Sequence, residues 1–228
     1  MSVSAGKYSD RPGIASGQTG QTGQTGRERI RRAAYDLFSR KGVRAVGIDT
    51  VIATAGTAKM TLYRNFPSKD VLILDFLALR EELWTRQWLI TGIRERAHAP
   101  AGQLLALFDV LTEWFERSDF EGCAFLTTML EINDRQHPVG RASVEHLANI
   151  REFLRELAAA AGIPDPDGFA RQWHILMTGA IMAAHEGDAE AARRARELGE
   201  LLLARHGITV DPETALCSGA ECELFSQP

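Results

Sequence analysis

Glycine and proline divide the first third of the sequence into short helical segments, and this spacing limits the possible folds more than any other feature. Residues 27–42 place apolar side chains three and four positions apart, which predicts an amphipathic helix that ends at Gly42. A second helical segment ends at Gly56, and a third ends before Pro67, a residue that cannot continue a helix. The pattern therefore predicts one ordinary helix followed by two short helices that are joined by a tight turn.

The residues that flank these segments predict where each helix begins. Asp49 or Thr50 stands where the N-cap of the second helix is expected, and Thr57 stands at the expected N-cap of the third. Ser68 is expected to cap a fourth, long helix over about residues 69–96.

All later segments with a clear pattern are also helical. Alternation of polar and apolar residues is absent, β-branched residues are sparse, and alanine and leucine dominate. Turn signals such as "HPVG" and "GIPDPDG" separate further helices at about 101–118, 122–134, 139–161, 167–186 and 188–206. We therefore predict an all-α fold of about nine helices, in which a three-helix N-terminal domain precedes a C-terminal helical bundle.

Composition excludes several other classes of protein. A chain of 228 residues can bury a core without disulfides, and its cysteines (Cys123, Cys217 and Cys222) are too few and scattered for a disulfide framework or a four-ligand zinc site. No run is as long and apolar as a membrane span, and the N-terminus lacks the pattern of a signal peptide. We expect a cytoplasmic protein that contacts no membrane and uses no cofactor.

Charge is divided unevenly along the chain. Residues 1–70 carry a net charge of +7 and residues 71–228 a net charge of −11, which together give the −4 of the whole chain. A basic segment beside an acidic remainder is typical of a module that binds a polyanion, although chance clustering would give the same count.

The third predicted helix combines a buried side with an exposed polar side. Leu62 and Phe66 lie four residues apart and are expected to face the core. Small residues at the start of such a helix permit close approach to DNA, and hydroxyls and cations bond phosphates and base edges. The two short helices around Gly56 therefore match a helix-turn-helix that enters the major groove, and a purely structural helical hairpin is the alternative.

The segment "IDTVIATAGTAKMTLYRNFPSKDVLI" resembles the helix-turn-helix of TetR-family transcriptional regulators, and the resemblance covers about residues 27–75. In that family a basic first helix precedes an "IA..AG" helix and a "TLY..F.SK" recognition helix. The resemblance implies binding to double-stranded operator DNA, with Tyr63 and Lys69 on phosphates, Thr50 anchoring the second helix, and Lys59, Met60 and Thr61 nearest the bases. The predicted DNA-binding residues are Arg27, Thr50, Thr57, Ala58, Lys59, Met60, Thr61, Tyr63, Arg64 and Lys69.

Two positions depart from the family pattern. Thr57 follows the turn glycine, where the family usually has an apolar residue, and Ala58 stands where a serine is frequent. If Thr57 caps the third helix, the positions that contact bases shift by one residue.

The predicted domains follow from these segments. Residues 1–26, which include the repeat "GQTGQTGQTG", are expected to form a flexible arm, and residues 27–70 the DNA-binding domain. Residues 71–206 are expected to bind an effector and to dimerise, and residues 207–228 to form a tail.

The C-terminal half is rich in aromatic and methionine side chains. Most of these belong to a core, but TetR-like proteins enclose a small molecule in this bundle, which implies an effector site. The predicted effector-binding residues are Trp114, Phe125, Thr128, Met129, Glu131, Trp173 and Met177. Apolar side chains outnumber polar ones among them, so the expected effector is mainly apolar.

Metal binding is not predicted for this half. Glu131, Asp134 and His137 are spaced three residues apart and could join His174 or His185 around a metal, but such spacing is weak evidence. A surface position, or a core position with satisfied hydrogen bonds, is the favoured interpretation of these histidines.

The eighth and ninth predicted helices are rich in alanine and leucine, and in TetR-like proteins two such helices from each subunit form a homodimer. The resemblance implies a ligand-responsive repressor. An enzyme is the competing class, but motifs such as G-x-S-x-G, a P-loop and H-E-x-x-H are absent, and no catalytic residue is predicted. The alternative function is a helical protein whose C-terminal bundle binds or acts on a small molecule, with a structural role for the basic helices.

Overall fold

A computed structural model describes residues 25–210, which form nine helices and contain no strand. The helices are α1 (Gly26–Ala45), α2 (Ile48–Ala55), α3 (Lys59–Asn65), α4 (Lys69–Arg80, continued by Glu81–Ile90 and Thr91–Arg96), α5 (Pro100–Phe115), α6 (Ala124–Ile132), α7 (Pro138–Ala160), α8 (Pro166–His185) and α9 (Ala191–Ala204). The predicted all-α fold is confirmed. Most of the predicted arm and tail lies outside the described residues.

The chain divides into two compact units, Met1–Trp88 and Leu89–Pro228, and the boundary falls inside α4. The first unit contains α1 to α3, and the second contains α5 to α9. Between residues 25 and 210, no helix is both long and apolar enough to cross a membrane.

The first helix begins inside the glycine-rich repeat. Thr25 is its N-cap: the Thr25 hydroxyl accepts a hydrogen bond from the backbone N–H of Glu28 (3.3 Å), and the Thr25 N–H donates to the Glu28 carboxylate (2.8 Å). This reciprocal pair is a capping box, which satisfies two N–H groups that a helix start would otherwise leave unpaired. At the far end the helix is interrupted at Gly42, as predicted, because its φ of 76° suits glycine alone.

Aromatic contacts join α1 to α4 in the first unit. The rings of Tyr35 and Phe38 lie edge-on to Phe76, with centroids 5.7 and 5.5 Å apart. The buried guanidinium of Arg80 donates a hydrogen bond to the Tyr35 hydroxyl (3.1 Å) and lies 5.7 Å from the centre of that ring. Because α1 also packs against α2 and α3, the pair of α1 and α4 holds both short helices in place.

The middle of α4 is a π-helix over Glu81–Ile90, flanked by α-helical segments. Two side-chain hydrogen bonds span five residues: Arg86 donates to Glu81 (2.9 Å) and Gln87 donates to Glu82 (2.9 Å). On an α-helix, side chains five residues apart point about 140° away from each other. Both bonds therefore depend on the wider π-helical turn.

The core of the second unit is built around Trp173 of α8. This side chain is fully buried, stacks on Phe169 at 5.2 Å between ring centroids, and lies 5.4 Å from Phe108 of α5. Helix α9 packs against both α8 and α5 where Gly199 faces the indole, since a Cβ at Gly199 would lie 2.8 Å from Trp173 Cη2. A glycine is thus required for the close approach of α9.

Candidate functional site

Helix α3 is held by two buried side chains and exposes the rest of its surface. Leu62 and Phe66 are buried, as predicted, and both belong to the core of the first unit. The side chains on the opposite face are exposed: Lys59, Met60, Tyr63 and Arg64. These positions are related by intervals of one, three, four and five residues, so they form one continuous surface on the helix.

The turn before α3 ends α2 with a left-handed glycine. Gly56 has φ 57° and ψ 45°, a backbone conformation that favours glycine, and its N–H bonds back to the end of α2. The N-cap of α3 is Ala58, whose carbonyl accepts hydrogen bonds from the N–H groups of Thr61 (2.9 Å) and Leu62 (3.3 Å). The residues that follow this turn, at the N-terminal end of α3, are exposed.

Two predicted helix caps are wrong. Thr57 lies one residue before the true N-cap of α3, and its buried hydroxyl has no hydrogen-bond partner within residues 25–210. The N-cap of α2 is Gly47, so Asp49 and Thr50 lie inside the first turn of that helix. The N-cap is the last residue with extended backbone, and Ala58 and Gly47 hold that conformation. In contrast, Ser68 caps α4 as predicted, since its hydroxyl accepts a hydrogen bond from the Val71 N–H (3.2 Å).

We predict opposite effects of removing the hydroxyls of Thr57 and Ser68. Thr57→Val should leave the free energy of unfolding unchanged or raise it, because the buried hydroxyl forms no hydrogen bond to lose. Ser68→Ala should lower it by about 1 kcal/mol, because the α4 cap is lost. Urea unfolding of both variants measures this difference, and a loss of similar size in Thr57→Val would show that Thr57 is a cap after all.

Three of the predicted DNA-binding residues lie outside α3 and the turn before it. Arg27 is exposed near the start of α1, 3.4 Å from the Asp75 carboxylate, and its guanidinium lies 5.6 Å from the centre of the Phe66 ring. Lys69 is the first residue of α4 and is half-buried, and Thr50 is exposed on α2. Each of the first four helices thus contributes at least one predicted residue.

The start of α1 also touches α3, and the sequence alone did not predict this contact. A Cβ at Gly26 would lie only 2.8 Å from Thr61 Cγ2, so the backbone of α1 rests against the recognition helix. The sequence pattern Thr-x-x-Glu at residues 25–28 is the signal that predicts this early helix start. Residues assigned to a flexible arm therefore help to position the site.

The predicted effector-binding residues lie in α5, α6 and α8 of the second unit, and their rings fall into separate groups. Trp114 lies 4.8 Å from Phe120, and Phe125 stacks on His146 at 5.0 Å. Trp173 belongs to the third group, described above. Most of the seven side chains are buried, and Met129 and Glu131 are half-buried. Their role in binding an effector stays a prediction.

A pocket of about 190 Å³ opens where α6 ends and α7 begins. Its lining residues are Met129, Leu130, Asn133, Asp134, Arg135 and Gly140. Of the predicted effector-binding residues, only Met129 lines it. Asn133 ends α6 in the left-handed conformation, and a Cβ at Gly140 would collide with the Asp134 carbonyl at 2.1 Å, so the local backbone defines this pocket.

No group of three or more His, Cys, Asp or Glu side chains in the described part of the chain could hold a metal ion.

The half-buried side chain of His174 also belongs to the second unit. Burial, together with the nearby positive charge of Arg151, lowers the pKa of His174 in α8 to about 4. The His174 Nε2 atom is buried and has no hydrogen-bond partner between residues 25 and 210. The folded protein therefore holds this side chain in its neutral form at neutral pH.

Stability should fall as the pH is lowered from about 6.5 towards 4. In the unfolded chain His174 binds a proton below a pKa of about 6.5, whereas the folded protein resists protonation until about pH 4. Between pH 7 and 5 this difference is worth about 2 kcal/mol. His174→Gln should flatten the pH dependence by that amount in urea unfolding curves, and a variant with the wild-type slope would contradict this assignment.

Comparison with known proteins agrees with this arrangement. Residues 30–76 match the family described as bacterial regulatory proteins, tetR family, and residues 100–198 match the tetracyclin repressor-like C-terminal domain. A crystal structure of a TetR-family regulator from Streptomyces coelicolor is 30% identical, with a TM-score of 0.73, and the match covers 80% of this chain and 96% of that one. One from Streptomyces avermitilis is 28% identical, with a TM-score of 0.66, over 81% and 100% of the two chains.

A curated relative, the HTH-type transcriptional regulator YjdC of Escherichia coli, is 21% identical over 75% of this chain and 91% of its own length. A helix-turn-helix with an exposed second helix, followed by a helical bundle, defines a DNA-binding transcriptional regulator rather than an enzyme. More specifically, the chain belongs to the TetR family of regulators.

Proposed function

We propose that the protein is a homodimeric repressor that acts in the cytoplasm and leaves its operator when a mainly apolar small molecule binds. The exposed face of α3 carries the DNA-binding part of this proposal, because it presents cationic, hydroxyl and apolar side chains while the helix packs against α1 and α2. One such helix per subunit reads half of a palindromic site, so two subunits are needed.

The positions of the polar groups support distinct roles on DNA. Lys59, Met60 and Thr61 occupy the first turn of α3, the part of a recognition helix that meets base edges. Tyr63 is 40% exposed and projects from the second turn, where its hydroxyl can donate to a phosphate. Lys69 and Arg27, at the starts of α4 and α1, supply cations for the same strand, and Arg64 supplies another.

An exposed apolar surface on α8 and α9 supports the dimer. Ile175 and Met182 lie seven residues apart on one face of α8, with exposures of 67% and 51%. Leu198 and Leu201 of α9 expose 53% and 68% of their surface. Since α8 packs against α9, these side chains belong to a two-helix surface that a second copy of the chain would cover. We call Ile175, Met182, Leu198 and Leu201 the α8/α9 face.

The effector part of the proposal depends on the second unit. Thr128 is a buried polar residue of α6, and apolar side chains form most of the predicted effector-binding set. A ligand releases DNA only through its different affinity for the bound and free conformations, commonly a coupling of about 1–3 kcal/mol. DNA must then weaken ligand binding by the same factor.

Operator selection followed by salt titration tests the DNA-binding function. Genomic fragments that bind the purified protein should share a palindrome, and binding to it should weaken steeply as salt rises. Lys69→Ala should weaken binding to all duplexes alike and lower the salt slope by about 1. Arg193→Ala removes the same charge from the second unit and should change neither quantity. Failure to enrich any sequence, or binding that is insensitive to salt, would contradict the proposal.

A reporter gene tests the direction of regulation. Placed behind the selected operator, the reporter should be transcribed less when the protein is present. Increased transcription would identify an activator and would overturn the repressor part of the proposal alone.

A further inference from the structure

Met60 is the most exposed large apolar side chain in the described part of the chain. It exposes 72% of its surface in the first turn of α3, between Lys59 and Thr61. Ala58, the N-cap residue two positions earlier, is also exposed and carries only a methyl group. The leading end of α3 therefore presents two apolar groups beside its polar ones.

Neither apolar group can donate a hydrogen bond to a phosphate or to a polar base edge. The thymine C5-methyl is the apolar group that DNA presents in the major groove. An apolar side chain that packs against this methyl group increases the affinity for DNA, because both apolar surfaces are then removed from water. Sequence preference thus arises without a hydrogen bond.

We propose that Met60, with Ala58 beside it, reads thymine methyl groups in each operator half-site. This inference rests on the proposed DNA-binding function, and it assigns Met60 a role in specificity rather than in general affinity. It also explains why an apolar residue is tolerated within an otherwise polar exposed face.

Deoxyuridine substitution tests the inference, because uracil differs from thymine only in lacking the methyl group. Each thymine of the selected operator is replaced in turn, and binding of the full-length protein is measured by fluorescence anisotropy. At one or two thymines per half-site, the wild-type protein should bind roughly fourfold more weakly after replacement. An operator with cytosine at such a position should be bound more tightly when that cytosine is 5-methylated, because the methyl group is then restored.

Variants of Met60 assign the effect to this side chain. Met60→Gln keeps the length of the side chain but makes its end polar, and should bind the thymine and uracil operators equally well. Met60→Leu should keep the discrimination. Leu130→Ala, which truncates an exposed leucine of the second unit, should behave as the wild type does. Because Met60 is exposed, each Met60 variant should melt at the wild-type temperature.

The outcomes separate this inference from the proposed function. If no operator is selected, the DNA-binding function itself is wrong. If an operator binds specifically but no thymine replacement weakens binding, or if Met60→Gln retains the discrimination, then Met60 does not read thymine. An operator that lacks thymine in both half-sites would overturn the inference as well.

Discussion

Leu201→Glu should convert the proposed dimer to a monomer and abolish tight operator binding. The substitution places an unpaired carboxylate on the α8/α9 face, where a second copy would exclude water. Burying that charge costs about 3–5 kcal/mol, which raises the dimer dissociation constant roughly 100-fold or more. Sedimentation at micromolar concentration measures the assembly, and anisotropy measures the operator affinity of the same sample.

Leu130→Glu is the matched control for this experiment. Leu130 in α6 is 63% exposed, close to the 68% of Leu201, but it lies outside the α8/α9 face. The control should therefore remain a dimer with wild-type operator affinity. A wild-type protein that sediments as a monomer, or a control that dissociates as readily as Leu201→Glu, would place the interface elsewhere.

Gly199→Val should destabilise the second unit by about 3 kcal/mol. A side chain at this position meets the Trp173 ring at 2.8 Å and Phe108 Cε2 at 3.1 Å, so α9 must move away from α8 and α5. The free energy of unfolding in urea measures the cost.

A double-mutant cycle identifies the cause of this effect. Trp173→Phe removes the outer ring atoms that face Gly199, so the cost of Gly199→Val should be smaller in that background. Gly179→Ala provides a control on α8 in the Leu201→Glu background, where no second copy covers this face, since no atom of the same chain lies within 4 Å of a Cβ there. It should keep or raise stability, because alanine favours helix more than glycine does. Equal costs of Gly199→Val in both backgrounds would rule out the contact with the indole.

Local signals in the sequence predicted the first unit well. Gly56 predicts the turn, because left-handed backbone favours glycine. Pro67 predicts the end of α3, because proline cannot continue a helix. Leu62 and Phe66 were placed in the core by their spacing alone. The caps were harder to predict, since Thr57 and Ala58 are adjacent and only the backbone decides which of them ends the extended segment.

Contacts between distant residues were not predictable in this way. Nothing in the sequence around Gly199 shows that the position faces an indole 26 residues earlier in the chain. The aromatic residues of the second unit fall into several groups, whereas the resemblance to TetR-like proteins implies one effector site. This grouping depends on how the helices pack against each other, which local sequence patterns do not show.

Periodicity also failed along α4. The spacing of Leu72, Phe76, Leu79, Leu83 and Trp84 predicts one buried stripe on an α-helix, but Leu79 and Leu83 are only half-buried. Buried residues instead recur as adjacent pairs every four positions, at 72–73, 76–77, 80–81 and 84–85. On an α-helix, residues four positions apart are rotated by about 40° from each other, so a four-residue repeat moves gradually around the helix. A stripe drawn with 3.6 residues per turn therefore does not follow the side of α4 that is buried.

The π-helical segment of α4 restricts where chimeric regulators can be joined. A π-helical turn takes up one more residue than an α-helical turn, and Glu81–Ile90 is held in that form by the Glu81–Arg86 and Glu82–Gln87 bonds. Consider a chimera that is joined, within this segment, to a relative whose fourth helix is α-helical throughout. The number of residues per turn then changes at the junction. Every later side chain of the helix would then be rotated by about 100° for each residue out of step. A DNA-reading unit exchanged between two relatives should therefore carry the whole of Glu81–Ile90 with it.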